Sequence, residues 1–99
     1  MNVRSDLSAS SVVARVNGVA EAEIDGEIVA LNIDSGACYG MKGVASSVWR
    51  IIAEPKRVAD IRELLLDKYE IDSDTCERQL LDLLAELRAE GLIDLVAGA

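Results

Sequence analysis

Ninety-nine residues and 10.6 kDa fit a single domain, and 51% hydrophobic residues with only three aromatics make its core one of Leu, Ile, Val and Ala. The net charge of -8 is spread over both halves without any basic block, so phosphate neutralisation has no footprint and nucleic acid is excluded as a partner. No run of about 18 apolar residues and no apolar N-terminal stretch occurs, which excludes a membrane partner and predicts a cytoplasmic protein.

In chain order, residues 1–11 are polar, Ser-rich and expected to be a flexible N-terminal segment, and residues 12–99 to form one domain. Val12 to Val16 reads as a short strand, followed by the hairpin signal Asn17-Gly18. Residues 19–25 alternate Val19, Glu21 and Glu23 with Ala20, Ala22 and Ile24, the pattern of a half-buried strand. Asp25-Gly26 turns the chain into a richer strand over 27–33, Asp34-Ser35-Gly36 turns it again, and Ala37 to Met41 ends the meander.

From Gly43 the period changes. Val44, Ala45, Val48, Trp49 and Ile52 lie on one helical face, closed by Glu54-Pro55. Val58, Ile61, Leu64, Leu65 and Tyr69 form the stripe of a second helix. Asp72 is placed to cap a third, whose stripe is Cys76, Leu80, Leu83, Leu84 and Leu87 and which Gly91 terminates. Residues 92–96 read as a closing strand or an ordered tail. The class is α+β, helices packed on one side of a three-stranded antiparallel meander.

Residues that carry chemistry are scarce. Histidine is absent, and Cys38 and Cys76 stand in no ligand or redox pattern and read as small buried apolar residues with free thiols, a single disulfide being the alternative. The carboxylates read as solvated helix faces, for example Asp74 with Arg78. Gly36, Gly40 and Gly43 match no phosphate-loop spacing. Asp34-Ser35 and Asp72-Ser73 lack the all-helical context of an acyl carrier's attachment serine, and no spacing suits a metal. An enzyme or carrier would therefore depend on a reactive Cys38 or a modified Ser35.

The remaining signal is a surface. If Ala37 to Met41 is the last strand, the chain leaves it directly into a helix and one edge has no partner strand, a template for an incoming peptide. The third helix carries apolar Leu81 and Ala85 beyond its stripe, flanked by Arg78 and Arg88, and a helix apolar on more than one face has a second surface to cover. Strand edge and helix together describe a groove. The alternative is that Leu81 packs on the second helix and the edge is covered by residues 1–16 or 92–96.

The stretch ALNIDSGACYGMKGVASSVWRII, then VADIRELLLDKYEID and a helix ending LRAEGLIDL, resembles the PqqD-like proteins, the recognition elements of ribosomally made, post-translationally modified peptides. The likeness covers residues 19–95. It departs from the family at Lys42 and Arg57, where residues able to cap the first and second helices are common. The resemblance implies a winged-helix-like fold with no catalysis and no cofactor, in which a precursor's leader peptide adds as a strand. Carried over by position, the peptide meets the edge Ala37, Cys38, Tyr39, Gly40 and Met41 and a helix wall of Arg78, Leu81, Asp82, Ala85 and Arg88. The implied partners are the leader and a leader peptidase or other modifying enzyme, as in lasso-peptide, pyrroloquinoline quinone or radical-enzyme pathways. An open edge also leaves room for a strand-edge homodimer. The competing reading, a winged-helix transcription regulator, needs a basic recognition helix. Residues 73–90 instead hold Asp74, Glu77, Asp82, Glu86 and Glu90 against Arg78 and Arg88.

Overall fold

The computed structural model describes residues 7–96. Its elements run β1 (Val12–Arg15), β2 (Val19–Ile24), β3 (Glu27–Asn32), β4 (Cys38–Met41), α1 (Val44–Ile51), β5 (Lys56–Arg57), α2 (Val58–Lys68), α3 (Ser73–Ala89) and β6 (Ile93–Leu95). The expected α+β class and the antiparallel meander followed by three helices, winged-helix-like in arrangement, are what the chain forms. The meander is β2-β3-β4, and a second small sheet has the order β5-β1-β6.

That second sheet corrects the reading of Asn17-Gly18 as a hairpin. β1 does not pair with β2; it pairs antiparallel with β5 and with β6, Ala14 opposite Asp94. The dipeptide still turns the chain, with Gly18 at φ 82°, but it carries the chain from one sheet to the other. Residues 92–96 thus supply a closing strand, β6.

The expected N-terminal segment 1–11 is described from Leu7 onward. Leu7 is buried in the core, and the carbonyls of Ala9 and Ser11 accept from Ala59 N and Val58 N at 2.9 Å each. These are first-turn N–H groups of α2, whose N-cap Arg57 makes no side-chain cap. The preceding chain therefore does with backbone what a capping side chain does elsewhere. α1 likewise has no side-chain cap at Gly43. α3 has the expected one: Asp72 Oδ2 accepts from Thr75 N at 3.1 Å and Thr75 Oγ1 at 2.8 Å, which holds the Asp72 carboxyl below the usual carboxylate range.

Trp49, Val48 and Ile52 of α1, Val58, Ile61 and Leu65 of α2, and Cys76, Leu80, Leu84 and Leu87 of α3 meet Ile28, Ala30 and Met41 from the meander in one core. Two expected stripe members fall outside it, Val44 and Leu64, exposed by 42% and 45%. Each lies at the border of its stripe, where periodicity alone does not separate core from rim.

On β2 the alternation is present but its faces are inverted. Glu21 and Glu23 turn toward the body of the protein, and Ala20, Ala22 and Ile24 toward water. These acids, both still exposed, are met by cations from β1 and α1. Arg15 Nη1 meets Glu21 Oε1 at 2.9 Å, its guanidinium lies 4.2 Å over the Trp49 ring, and Trp49 Nε1 donates to the same carboxylate at 3.3 Å. Arg50 pairs with Glu23.

The turn into β4 is held by Asn32. Its Oδ1 accepts from Asp34 N (3.0 Å) and Ser35 N (3.1 Å), while its Nδ2 donates to Gly91 O at 2.7 Å across the end of α3. Gly91 sits at φ 74°, where a side chain is strained, and a Cβ there would lie a tight 3.1 Å from Asn32 Nδ2. Asn32→Ala is expected to lower stability by about 1 to 2 kcal/mol, most of it from the part-buried bond to Gly91, as read from a urea midpoint.

Candidate functional site

β4 is an edge. It pairs with β3 on one side, Tyr39 opposite Ala30 and Met41 opposite Ile28, and among the described residues no strand lies on its other side. The ladder settles which backbone groups are open. Asn32 N donates to Ala37 O at 2.9 Å, so this facing pair is a hydrogen-bonded one. Alternation along an antiparallel ladder then turns the backbone groups of Tyr39 and Met41 to β3 and those of Cys38 and Gly40 to the free edge. Two N–H and two C=O groups stand ready for a further strand.

The same alternation places the side chains. Met41 is buried and Tyr39 half-buried on the inner face, while Cys38 and Gly40 lie on the outer face. The expectation that Cys38 is buried is corrected: it is exposed, because the burial of Met41 three residues on puts Cys38 on the opposite side of the pleat. Cys76 is buried as expected, and both thiols are free. Ala37, half-buried, immediately precedes the strand.

The facing wall is α3, met through Tyr39. Its hydroxyl donates to Glu86 Oε2 at 2.7 Å, across the floor between strand and helix. Residues three and four apart share a helical side, so the flank turned to β4 carries Gln79, Leu83, Glu86 and Glu90. Gln79 and Leu83 join Val44, Tyr69, Ile71 and Leu80 in lining a small apolar pocket, where this flank meets the start of α1 and the end of α2. Behind it, Ser47 Oγ bonds with Tyr69 OH at 2.8 Å and accepts from Lys68 Nζ at 3.1 Å, fixing α1 to α2.

The residues of the helix wall taken from position lie away from the Tyr39–Glu86 contact. Leu81, Ala85 and Arg88 lie on the other side of the core stripe. There Glu77 meets Arg62 of α2 at 2.8 Å, Arg88 meets Asp94 of β6 at 3.4 Å, and Leu81 and Ala85 pack against the core. Arg78 and Asp82 are exposed on the crest of the helix, Asp82 one turn before Glu86. The strand half of the expected site is brought together with α3, but with its other flank. Leu83 had the marks of a core residue and Glu86 of a solvated one, and what distinguishes them is the reach of Tyr39 from another element.

The groove is acidic at this point. The bond to Glu86, burial, and the charges of Glu86 and Glu90 push the Tyr39 phenol up to about 12 from 10.0. A raised value for a group neutral when protonated means that its contribution to stability is complete below about 10, and is lost as pH rises from there through about 12. Glu86→Gln is expected to bring the Tyr39 titration down toward that of a free phenol, read as tyrosinate absorbance on raising the pH.

Comparison with known proteins agrees with this fold. The family model described as coenzyme PQQ synthesis protein D (PqqD) matches residues 27–93. A solved structure of TbiB1 in complex with the TbiA(beta) leader peptide is similar to this chain at 32% identity and TM-score 0.76, covering 87% of this chain and 98% of that one. A structure of lasso peptide synthetase B1 complexed with the leader peptide is similar at 21% identity and TM-score 0.74, over 83% of this chain and 96% of that one, a likeness of fold. No curated protein matches this chain.

Proposed function

This chain belongs to the PqqD family, and we propose that it is a non-catalytic recognition element that binds the leader peptide of a ribosomally made precursor and hands the precursor to a leader peptidase or other modifying enzyme. The observation that carries the reading is the unpaired edge of β4 facing α3. The bound leader is an added strand, hydrogen-bonded to Cys38 and Gly40. Its inward side chains rest on Tyr39, Leu83 and Gln79 and reach the apolar pocket at Val44. Backbone pairing supplies affinity with little demand on sequence, and the pocket selects an apolar side chain. The likeness to TbiB1, a protein solved in complex with a leader peptide, supports this role.

No helix is long and apolar enough to cross a membrane among the described residues, and this accords with a cytoplasmic role. The regulator reading gains nothing: α3, the helix that would read DNA, turns Glu86 and Glu90 to the groove. Fluorescence polarisation of a labelled leader, from the precursor encoded beside this protein, tests the proposal. Saturable binding that an unlabelled leader competes away and a scrambled one does not is the expected result; no binding to that leader sinks it.

A further inference from the structure

The outer face of the meander is built opposite to the usual antiparallel rule of apolar in and polar out. With Glu21 and Glu23, exposed but on the side of Ala30 and Ile28, paired to Arg15 and Arg50, β2 presents Ala20, Ala22 and Ile24 on the opposite side, and the register sets them beside Leu31, Val29 and Glu27 of β3. Ile24 is 62% exposed and Leu31 38%, and a shallow depression over Ala20, Ala22, Val29 and Leu31 reaches Cys38 on β4. A contiguous apolar sheet face left to water is an interaction surface.

The geometry points to this face as the dock for the enzyme that acts on the bound precursor, a protein meeting it with an apolar patch rimmed by lysine and arginine. This rests on the leader-binding reading of β4. Two observations choose that occupant. The first is charge: Asp25 and Glu27 stand at one end of the face and Asp34 at the other, with Lys42 just beyond β4. A second copy of a chain of net charge -8 would bring these acids against their own kind, whereas a basic rim complements them. The second is continuity. A peptide paired with Cys38 and Gly40 becomes the next strand of this same sheet, and every other side chain of it joins the same outer face. An enzyme seated there touches the recognition element and its cargo together and so distinguishes the loaded protein from the empty one.

The test uses Leu31→Glu and Glu27→Lys, both on exposed positions and checked for fold by circular dichroism, with the cognate leader peptidase as probe. Leader affinity is measured first and is expected to stay within about twofold of wild type, since neither side chain faces the groove. Binding of the peptidase to the leader-loaded protein, by biolayer interferometry, is expected to fall roughly tenfold or more for Leu31→Glu. Glu27→Lys is expected to weaken it most at low salt. Peptidase binding unchanged in both variants overturns the inference, as does loss of leader affinity in step with peptidase affinity. A wild-type dimer that Leu31→Glu converts to monomer in size-exclusion chromatography overturns it in favour of a second copy. A wild type that binds no leader instead refutes the leader reading itself, which separates the two failures.

Discussion

Gly40→Pro is expected to fold normally and to bind leader peptide at least tenfold more weakly than the wild type. The Gly40 N–H points to the free edge, so proline there removes no bond of the β3–β4 ladder, and edge strands accept proline on that side. Nor is there a steric objection: the nearest atom to a Cβ at Gly40 is the flexible Glu27 Oε1 at 3.4 Å, and the backbone is not left-handed. For an incoming strand the change is severe. One of its donors is gone, worth about 1 kcal/mol, and the ring stands where the peptide backbone must approach. A tenfold loss corresponds to only about 1.4 kcal/mol, so the combination clears it. Tyr39→Pro is the control, because the Tyr39 N–H bonds to β3; that variant is expected to lose stability in a urea titration. Undiminished leader binding by folded Gly40→Pro excludes strand addition at β4.

The second large effect contrasts the two flanks of α3. Leu83→Glu puts a carboxylate into the apolar pocket shared with Val44 and Gln79, and is expected to lower leader affinity tenfold or more. Leu81→Glu changes an equally half-buried leucine on the flank facing α2, and is expected to leave affinity near wild type. Both variants lose stability, by about 1 to 2 kcal/mol each, so stability alone does not explain a difference between them. The reverse ranking, with Leu81→Glu the weaker binder, moves the peptide to the α2 side of the helix.

Local signals in this sequence report local structure well and partnership poorly. The turns at Asp25-Gly26 and Asp34 to Gly36, the Asp72 cap, the Gly91 stop and the three helical stripes are each made by neighbours in the chain, and each was legible. The pairing of β1 was not. Its partners Lys56–Arg57 and Ile93–Leu95 are remote and very short, and Asn17-Gly18 specifies a reversal without saying what lies beside it. Parity failed for a related reason. Period-two alternation on β2 shows two faces but not which one turns to the body of the protein, and that choice was made by Arg15 of β1 together with Arg50 and Trp49 of α1, the last two remote from Glu21 and Glu23 in sequence. The same holds for α3, whose core stripe was readable while its two flanks looked alike until Tyr39 reached Glu86. The open edge of β4 was visible because it follows from connectivity alone: a short strand that runs straight into a helix.

The pairing of β1 with β6 has an architectural consequence. The first strand begins at Val12 and the last is followed by Val96, and these two residues are joined by a backbone bond of 2.9 Å, on the sheet that does not contain β4. The first and last strands thus begin and end side by side, so a host polypeptide that keeps the segment from Leu7 to Ser11 ahead of β1 accepts the module near one place on its own surface. The same adjacency permits a short bridge from one end to the other and new ends elsewhere, a circular permutant whose cleft is left untouched. A recognition unit of this build is portable, and tethering it to an enzyme replaces capture from solution by a high local concentration of cargo.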